Sequence, residues 1–205
     1  MGNIYNKVLS LVKSTTAKDT YILFVGNIMS AFFGFIFIYI LTRKLSVDEF
    51  GVFSAAANLI VIISSFTDLG ITTAMINFVS QKLGNHDNYG ANRYLKASFI
   101  IRFVSVAIVS TIVLLIPKFV SINLLATSDI SVSYWAAIIS IGLTAWLTFP
   151  YAMMAYKKFW QSVILDWSLG IPRILIFLSL ASLLPINLNL ALMSYGLSTI
   201  LPIFF

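Results

Sequence analysis

Five side chains stand out because they are polar or charged inside otherwise apolar stretches: Asn58, Asp68, Arg102, Asp166 and Arg173. A charge at the centre of a bilayer costs about 2.5–3.5 kcal/mol on insertion scales. Each ion therefore needs a partner, water or a ligand. The chemistry open to this set is ion pairing or recognition of an anion, since a guanidinium binds phosphate through two parallel hydrogen bonds. Nucleophilic and metal chemistry have little to draw on. The chain has no Cys, and its single histidine, His86, sits in a polar loop. That excludes a thiol nucleophile and a thiolate site, and one His makes no metal cluster. Asp48 and Glu49 are adjacent and read best as the start of a helix, where acids favour the first turn. Neither a metal nor a cofactor is expected.

The elements that must hold these residues follow from composition. Of 205 residues, 60 % are hydrophobic and 10 % charged, against about 45–50 % and about 25 % in soluble domains. A soluble enzyme, a nucleic-acid-binding domain and a disordered tail are all excluded. The expected fold is all-α: a polytopic membrane bundle of about six helices, each needing about 20 apolar residues. The spans are expected over Thr20–Thr42, from Phe50 past Gly70 to Val79, and over Lys96–Ile116, Val132–Met153, Ser162–Leu184 and Leu188–Phe205. Residues 1–19 form a basic amphipathic segment, and residues 20–205 form the six-span lobe. The last span is still apolar at Phe205, which suggests a piece of a longer protein.

The net charge of +6 is read as topology before any basic partner is considered. Lys7, Lys13, Lys18, Lys82, Arg93, Lys96, Lys157 and Lys158 fall on one side. Arg43, Lys44 and Lys118 fall on the other. The first side is assigned to the cytoplasm, which puts the amino terminus inside.

At 100° per residue, four spans carry a polar stripe. Ser54, Asn58, Ser65, Asp68 and Thr72 share an arc. So do Ser98, Arg102 and Ser105, then Ser133, Ser140, Thr144, Thr148 and Tyr151, and finally Asp166, Gly170 and Arg173. The economical arrangement turns all four toward a wet interior. Ordinary packing explains the Ser and Thr positions as well, but not the ions. Asp68 and Arg102 are expected to pair. Arg173 lies about eleven residues, roughly 17 Å, into its span, and serves either as a substrate contact or as a clamp between helices. Gly26, Ser30 and Gly34 repeat at the spacing of close helix packing. Asp68-Leu69-Gly70 and Gly170-Ile171-Pro172 read as hinges.

Leu41-Thr42-Arg43-Lys44-Leu45-Ser46-Val47-Asp48-Glu49-Phe50-Gly51 resembles the first loop of the polysaccharide flippases. These are the O-antigen and teichoic-acid type translocases of the multidrug/oligosaccharidyl-lipid/polysaccharide exporter superfamily. Asp68-Leu69-Gly70-Ile71 resembles the Asp-x-Gly element closing their second helix, and Asn27 resembles an Asn of their first. The likeness covers roughly residues 1–160. It implies two six-helix lobes around a cavity, of which this chain supplies the amino-terminal one. It also implies alternating access for a polyprenyl-diphosphate-linked oligosaccharide in the cytoplasmic membrane, with membrane lipid and a coupling ion as further partners and no nucleic acid. A drug/cation antiporter of the same superfamily would favour an acidic cavity, whereas these spans are net basic. A membrane enzyme of polysaccharide assembly would need clustered acids or histidines. A transporter, not an enzyme, is the expectation.

Overall fold

A computed structural model describes residues 15–200, nearly all of them helical and none in a strand. Seven helices longer than one turn follow in order among them: α1 (Thr15–Lys44), α2 (Val47–Asp68), α3 (Ile71–Gly84), α4 (Asn88–Leu115), α5 (Ser131–Ala155), α6 (Phe159–Leu183) and α7 (Leu188–Ile200). Helices α1, α2, α4, α5 and α6 are long and apolar enough to cross a membrane. Helix α7 is apolar over the 13 residues described; its expected continuation to Phe205 lies outside the described residues. The polytopic helical bundle is as expected. Of the amphipathic segment expected over residues 1–19, residues 1–14 lie outside the described residues. Thr15 to Asp19 already belong to α1.

Helix α5 is the hub, packing against α2, α3, α4, α6 and α7. Its sequence suits that position. Ala136 and Ala137 are fully buried and let neighbours approach, while Ile139, Leu143 and Trp146 fill the space between. On one flank α3 and α4 pack on each other; on the other, α6 carries α1 and α7. An aromatic cluster closes the second flank: Phe37 of α1 meets Phe53 of α2 and Phe177 of α6 edge-on at 6.1 and 5.9 Å between centroids. Tyr195 of α7 joins at 6.1–6.5 Å. Such pairs contribute about 0.5–1.5 kcal/mol each beyond their area. They matter here because lipid supplies no hydrophobic drive between helices.

Contacts at the two ends fix how the helices alternate. The Tyr156 hydroxyl at the end of α5 donates to Asn92 Oδ1 at the start of α4, 2.9 Å away. At the other end Leu188 N donates to Glu49 Oε1 at 3.4 Å, and Ser131 Oγ lies 3.4 Å from Asn189 Oδ1. Lys18, Lys82, Arg93, Lys96, Lys157 and Lys158 thus gather at one end of the bundle. Arg43, Lys44 and Lys118 sit at the other, among Asp48, Glu49 and Asp129.

The structure corrects several local expectations. The second span does not run on to Val79. Leu69 (φ 44°) and Gly70 (φ 80°) both adopt left-handed backbone, and the chain restarts as a separate helix, α3. Helix α4 begins at Asn88, about two turns before Lys96, where Asp87 caps it by accepting from Gly90 N at 2.8 Å. That bond, with Lys82 Nζ 3.0 Å away, holds the Asp87 carboxyl below its usual pKa range. Helix α4 ends at Leu115, and Pro117 opens a short helical turn followed by a π-turn over Val120–Leu124.

The hinge expected at Gly170-Ile171-Pro172 is absent, because α6 runs unbroken through Pro172. Gly170 serves packing instead: a Cβ there would meet Phe33 Cβ at 2.9 Å. Gly26 does the same from the other side, lying buried against Val163. Its carbonyl accepts from Trp167 Nε1 at 3.2 Å. Gly34 does not belong to this seam, since a Cβ there would meet nothing within 4 Å. The seam predicts a contrast within one helix. Gly26→Leu should force α1 off α6 and lower the melting point of the detergent-solubilised protein, at an overpacking cost of about 1–3 kcal/mol. Gly34→Leu should melt like the parent.

Candidate functional site

The helix break creates the site. Ending α2 at Asp68 and restarting at Ile71 leaves the first N–H groups of α3 without carbonyl partners. Gly70, the residue before α3, has no side chain to cap them. Asp68 does so from across the break: its Oδ1 accepts from Thr72 N at 3.3 Å and from the Thr72 hydroxyl. A carboxylate at a helix amino terminus is favoured by the helix dipole as well.

Arg102 of α4 completes the cluster. Its Nη1 donates to Thr72 Oγ1 at 3.0 Å, and its Nε lies 3.4 Å from Asp68 Oδ1. The Thr72 hydroxyl thus accepts from Arg102 while donating to Asp68. The arginine side chain is 4 % exposed and the aspartate 26 %. The Nε forms the ion pair but no aligned hydrogen bond. The expected pairing of Asp68 with Arg102 is met, with the Thr72 hydroxyl between them.

Beside this cluster a half-open cavity of about 430 Å³ is lined by Ser64, Ser65, Asp68, Thr72, Arg102 and Tyr151, among others. Along α2, Ser65 at the cavity is exposed, and above it Asn58 is exposed and Ser54 half-buried. The stripe of α2 therefore leads along an open face into a charged pocket. Tyr151 of α5 stands between the two flanks, close enough to feel the charges of both Arg102 and Asp166.

The other stripes divide. That of α5 reaches the cavity only at Tyr151: Ser133, Ser140, Thr144 and Thr148 are buried. Ser140 and Thr148 bond to carbonyls of their own helix. Thr144 meets Ser64 of α2 at 3.0 Å, and Ser133 meets Ser121 at 2.6 Å. These residues hold helices together, and the single wet interior expected of four stripes is corrected to one polar face. Asp166 is half-buried, with no ion pair or hydrogen bond among the described residues. It does not pair with Arg173.

Arg173 engages α7 and α1. Its guanidinium stacks over the Tyr195 ring, 3.8 Å from the centroid, and lies 5.6 Å from that of Phe37. Its Nε donates to Ser198 Oγ at 3.3 Å. Sequence periodicity finds the arginine but not these partners, because rings that receive a cation look like any other core aromatics. Arg102 and Arg173 belong to different clusters, one built on α2, α3 and α4 and the other on α1, α6 and α7.

A family model described as polysaccharide biosynthesis protein matches residues 16–205. The chain belongs to this family. No curated protein matches it, and no solved structure does either. The Leu41–Gly51 stretch has a visible task in this polysaccharide biosynthesis family member. Ser46 caps α2 in a reciprocal box with Glu49, whose carboxylate accepts from Ser46 N at 3.1 Å and also from Leu188 N of α7. The loop between the first two helices is thereby tied to the start of α7.

Two double-mutant cycles test the clusters. Asp68→Leu alone strands a buried guanidinium and should destabilise by about 1–3 kcal/mol, whereas Asp68→Leu with Arg102→Leu should melt closer to the parent. Arg173→Met and Tyr195→Leu should each destabilise and couple by roughly 1–2 kcal/mol, as a desolvated cation–π pair does.

Proposed function

We propose that this chain forms one wall of a membrane translocase for polyprenyl-diphosphate-linked oligosaccharides in surface polysaccharide synthesis. The polar stripe on the exposed face of α2, with Asn58 and Ser65 among exposed Val61, Ile62 and Phe66 and leading to the pocket of Asp68, Thr72 and Arg102, is the observation that carries the reading. Exposed Asn58 and Ser65 would be costly against lipid. They suit a wall that faces water and a second wall across it, which the flippase resemblance assigns to another lobe.

The substrate pairs a sugar, rich in hydroxyls, with a charged diphosphate. Asn58, Ser54 and Ser65 offer donors and acceptors to hydroxyls. Arg102 offers positive charge to the pocket it lines, part-neutralised by Asp68. Tyr151 extends the polar lining onto α5. Arg173, occupied by Tyr195 and Ser198, is the clamp that holds α7 to α6. The protein acts as a transporter and not as an enzyme, in the cytoplasmic membrane. The end rich in lysine and arginine faces the cytoplasm by the positive-inside rule, which puts the amino terminus inside.

The test is a strain lacking the protein. Single lipid-linked repeat units should accumulate on the inner leaflet, and the parent gene should clear them. Asn58→Leu should leave protein abundance unchanged, because Asn58 is exposed and makes no hydrogen bond among the described residues, yet cut export about tenfold or more. Normal export by Asn58→Leu would remove the α2 face from the substrate path.

A further inference from the structure

A second cavity lies where α1 begins and α5 turns into α6. It measures about 480 Å³, and Lys18, Lys157 and Lys158 line it against one acid, Asp19. None of the three lysines has an ion pair among the described residues. Lys82 at the same end of the bundle differs, being paired with Asp87 at 3.0 Å. The positive-inside rule asks only that cations lie somewhere at this end. It does not ask three of them to converge on one hollow.

The turn that places two of them is held in an unfavourable conformation. Lys157 has φ 58°, left-handed backbone that costs a residue with a side chain roughly 1–2 kcal/mol. Bonds from Lys157 N to Met154 O and from Lys158 N to Met153 O, both 2.9 Å, pin it. The cavity has an apolar side as well, formed by Ile22, Phe159 and Trp160. Trp160 is 55 % exposed, as suits an indole at the boundary between hydrocarbon and water. Lys158, at the start of α6, gives that helix no side-chain cap. The first-turn residues Phe159, Trp160 and Gln161 all line the hollow, where the positive end of the helix dipole adds to the lysines.

We infer that this cavity is a binding site for the phosphate headgroup of an anionic membrane lipid. The three lysines hold the phosphate, and an acyl chain runs along Ile22 and Trp160. The site is separate from the α2 face, and it stands whether or not that face carries substrate.

Native mass spectrometry of the full chain in detergent, titrated with phosphatidylglycerol or phosphatidylcholine, tests this. A basic residue near an anionic surface is worth about fivefold in affinity. The triple variant Lys18→Gln, Lys157→Asn, Lys158→Gln should therefore bind phosphatidylglycerol at least tenfold more weakly. Asn is chosen at 157 because it tolerates left-handed backbone. Arg93→Gln with Lys96→Gln, at the same end but outside the cavity, should bind like the parent, and phosphatidylcholine should bind weakly to every form. If the triple variant fails to fold, Lys158→Gln alone decides, with about a fivefold loss expected. Retained affinity in the lysine variants would overturn the site, as would an equal loss in the control. Displacement of phosphatidylglycerol by millimolar inorganic phosphate would overturn the lipid assignment and leave a site for soluble phosphate.

Discussion

A helix broken near a membrane boundary exposes backbone groups that hydrocarbon cannot satisfy. In this protein the break between α2 and α3 is tolerable because Asp68 supplies the missing acceptor to α3, and Arg102 offsets the charge that Asp68 brings. The parts depend on one another. Without Asp68, the restart of α3 would lose its acceptor, and Arg102 would be a buried cation with only a hydroxyl to bond. Buried pairs of this kind contribute little net stability but are costly to split. Their effect is to fix one geometry, in which α3 leaves the line of α2 and packs on α4 and α5.

The two flanks solve the problem of charge in different ways. On one, Arg102 meets a carboxylate and borders a cavity. On the other, Arg173 meets a ring face and a hydroxyl and borders none of the cavities described. A guanidinium over an aromatic ring keeps its charge while shedding water, and it locks two helices at a defined distance. Helix α5 separates the flanks with a column of small and hydroxyl-bearing residues whose hydrogen bonds stay within the protein. The polar content of the spans therefore has three destinations: the open face of α2, the seams around α5, and two arginine clusters.

Much of the fold was legible in the sequence, because span length and hydropathy are read directly from residue type. Charge sidedness was legible for the same reason. Pairing of Asp68 with Arg102 could be anticipated from their similar depth on polar stripes. What periodicity could not deliver was which face of each stripe meets protein. Ser140 and Thr148 lie on as clean an arc as Ser54 and Asn58, yet the first pair is buried and the second borders open space. Helix phase gives direction only relative to the helix itself, and neighbours decide the rest. Proline misled in the opposite way. Pro172 suggested a hinge, but α6 runs through it unbroken, while the actual break at Leu69 carries no proline at all.

The seam of α1 on α6 joins residues far apart in the chain: Trp167 reaches the carbonyl of Gly26 across 141 positions. Ribosomes add about 5–20 residues each second. The first span must therefore reside in the bilayer for on the order of ten seconds before its principal neighbour has been made. Its surface is fitted to that interval, with Tyr21, Phe24, Ile28, Phe32 and Phe35 turned outward, so lipid can solvate it alone. Assembly of this bundle closes from the late helices back onto the first, and a ribosome stalled before α6 would leave α1 anchored but undocked.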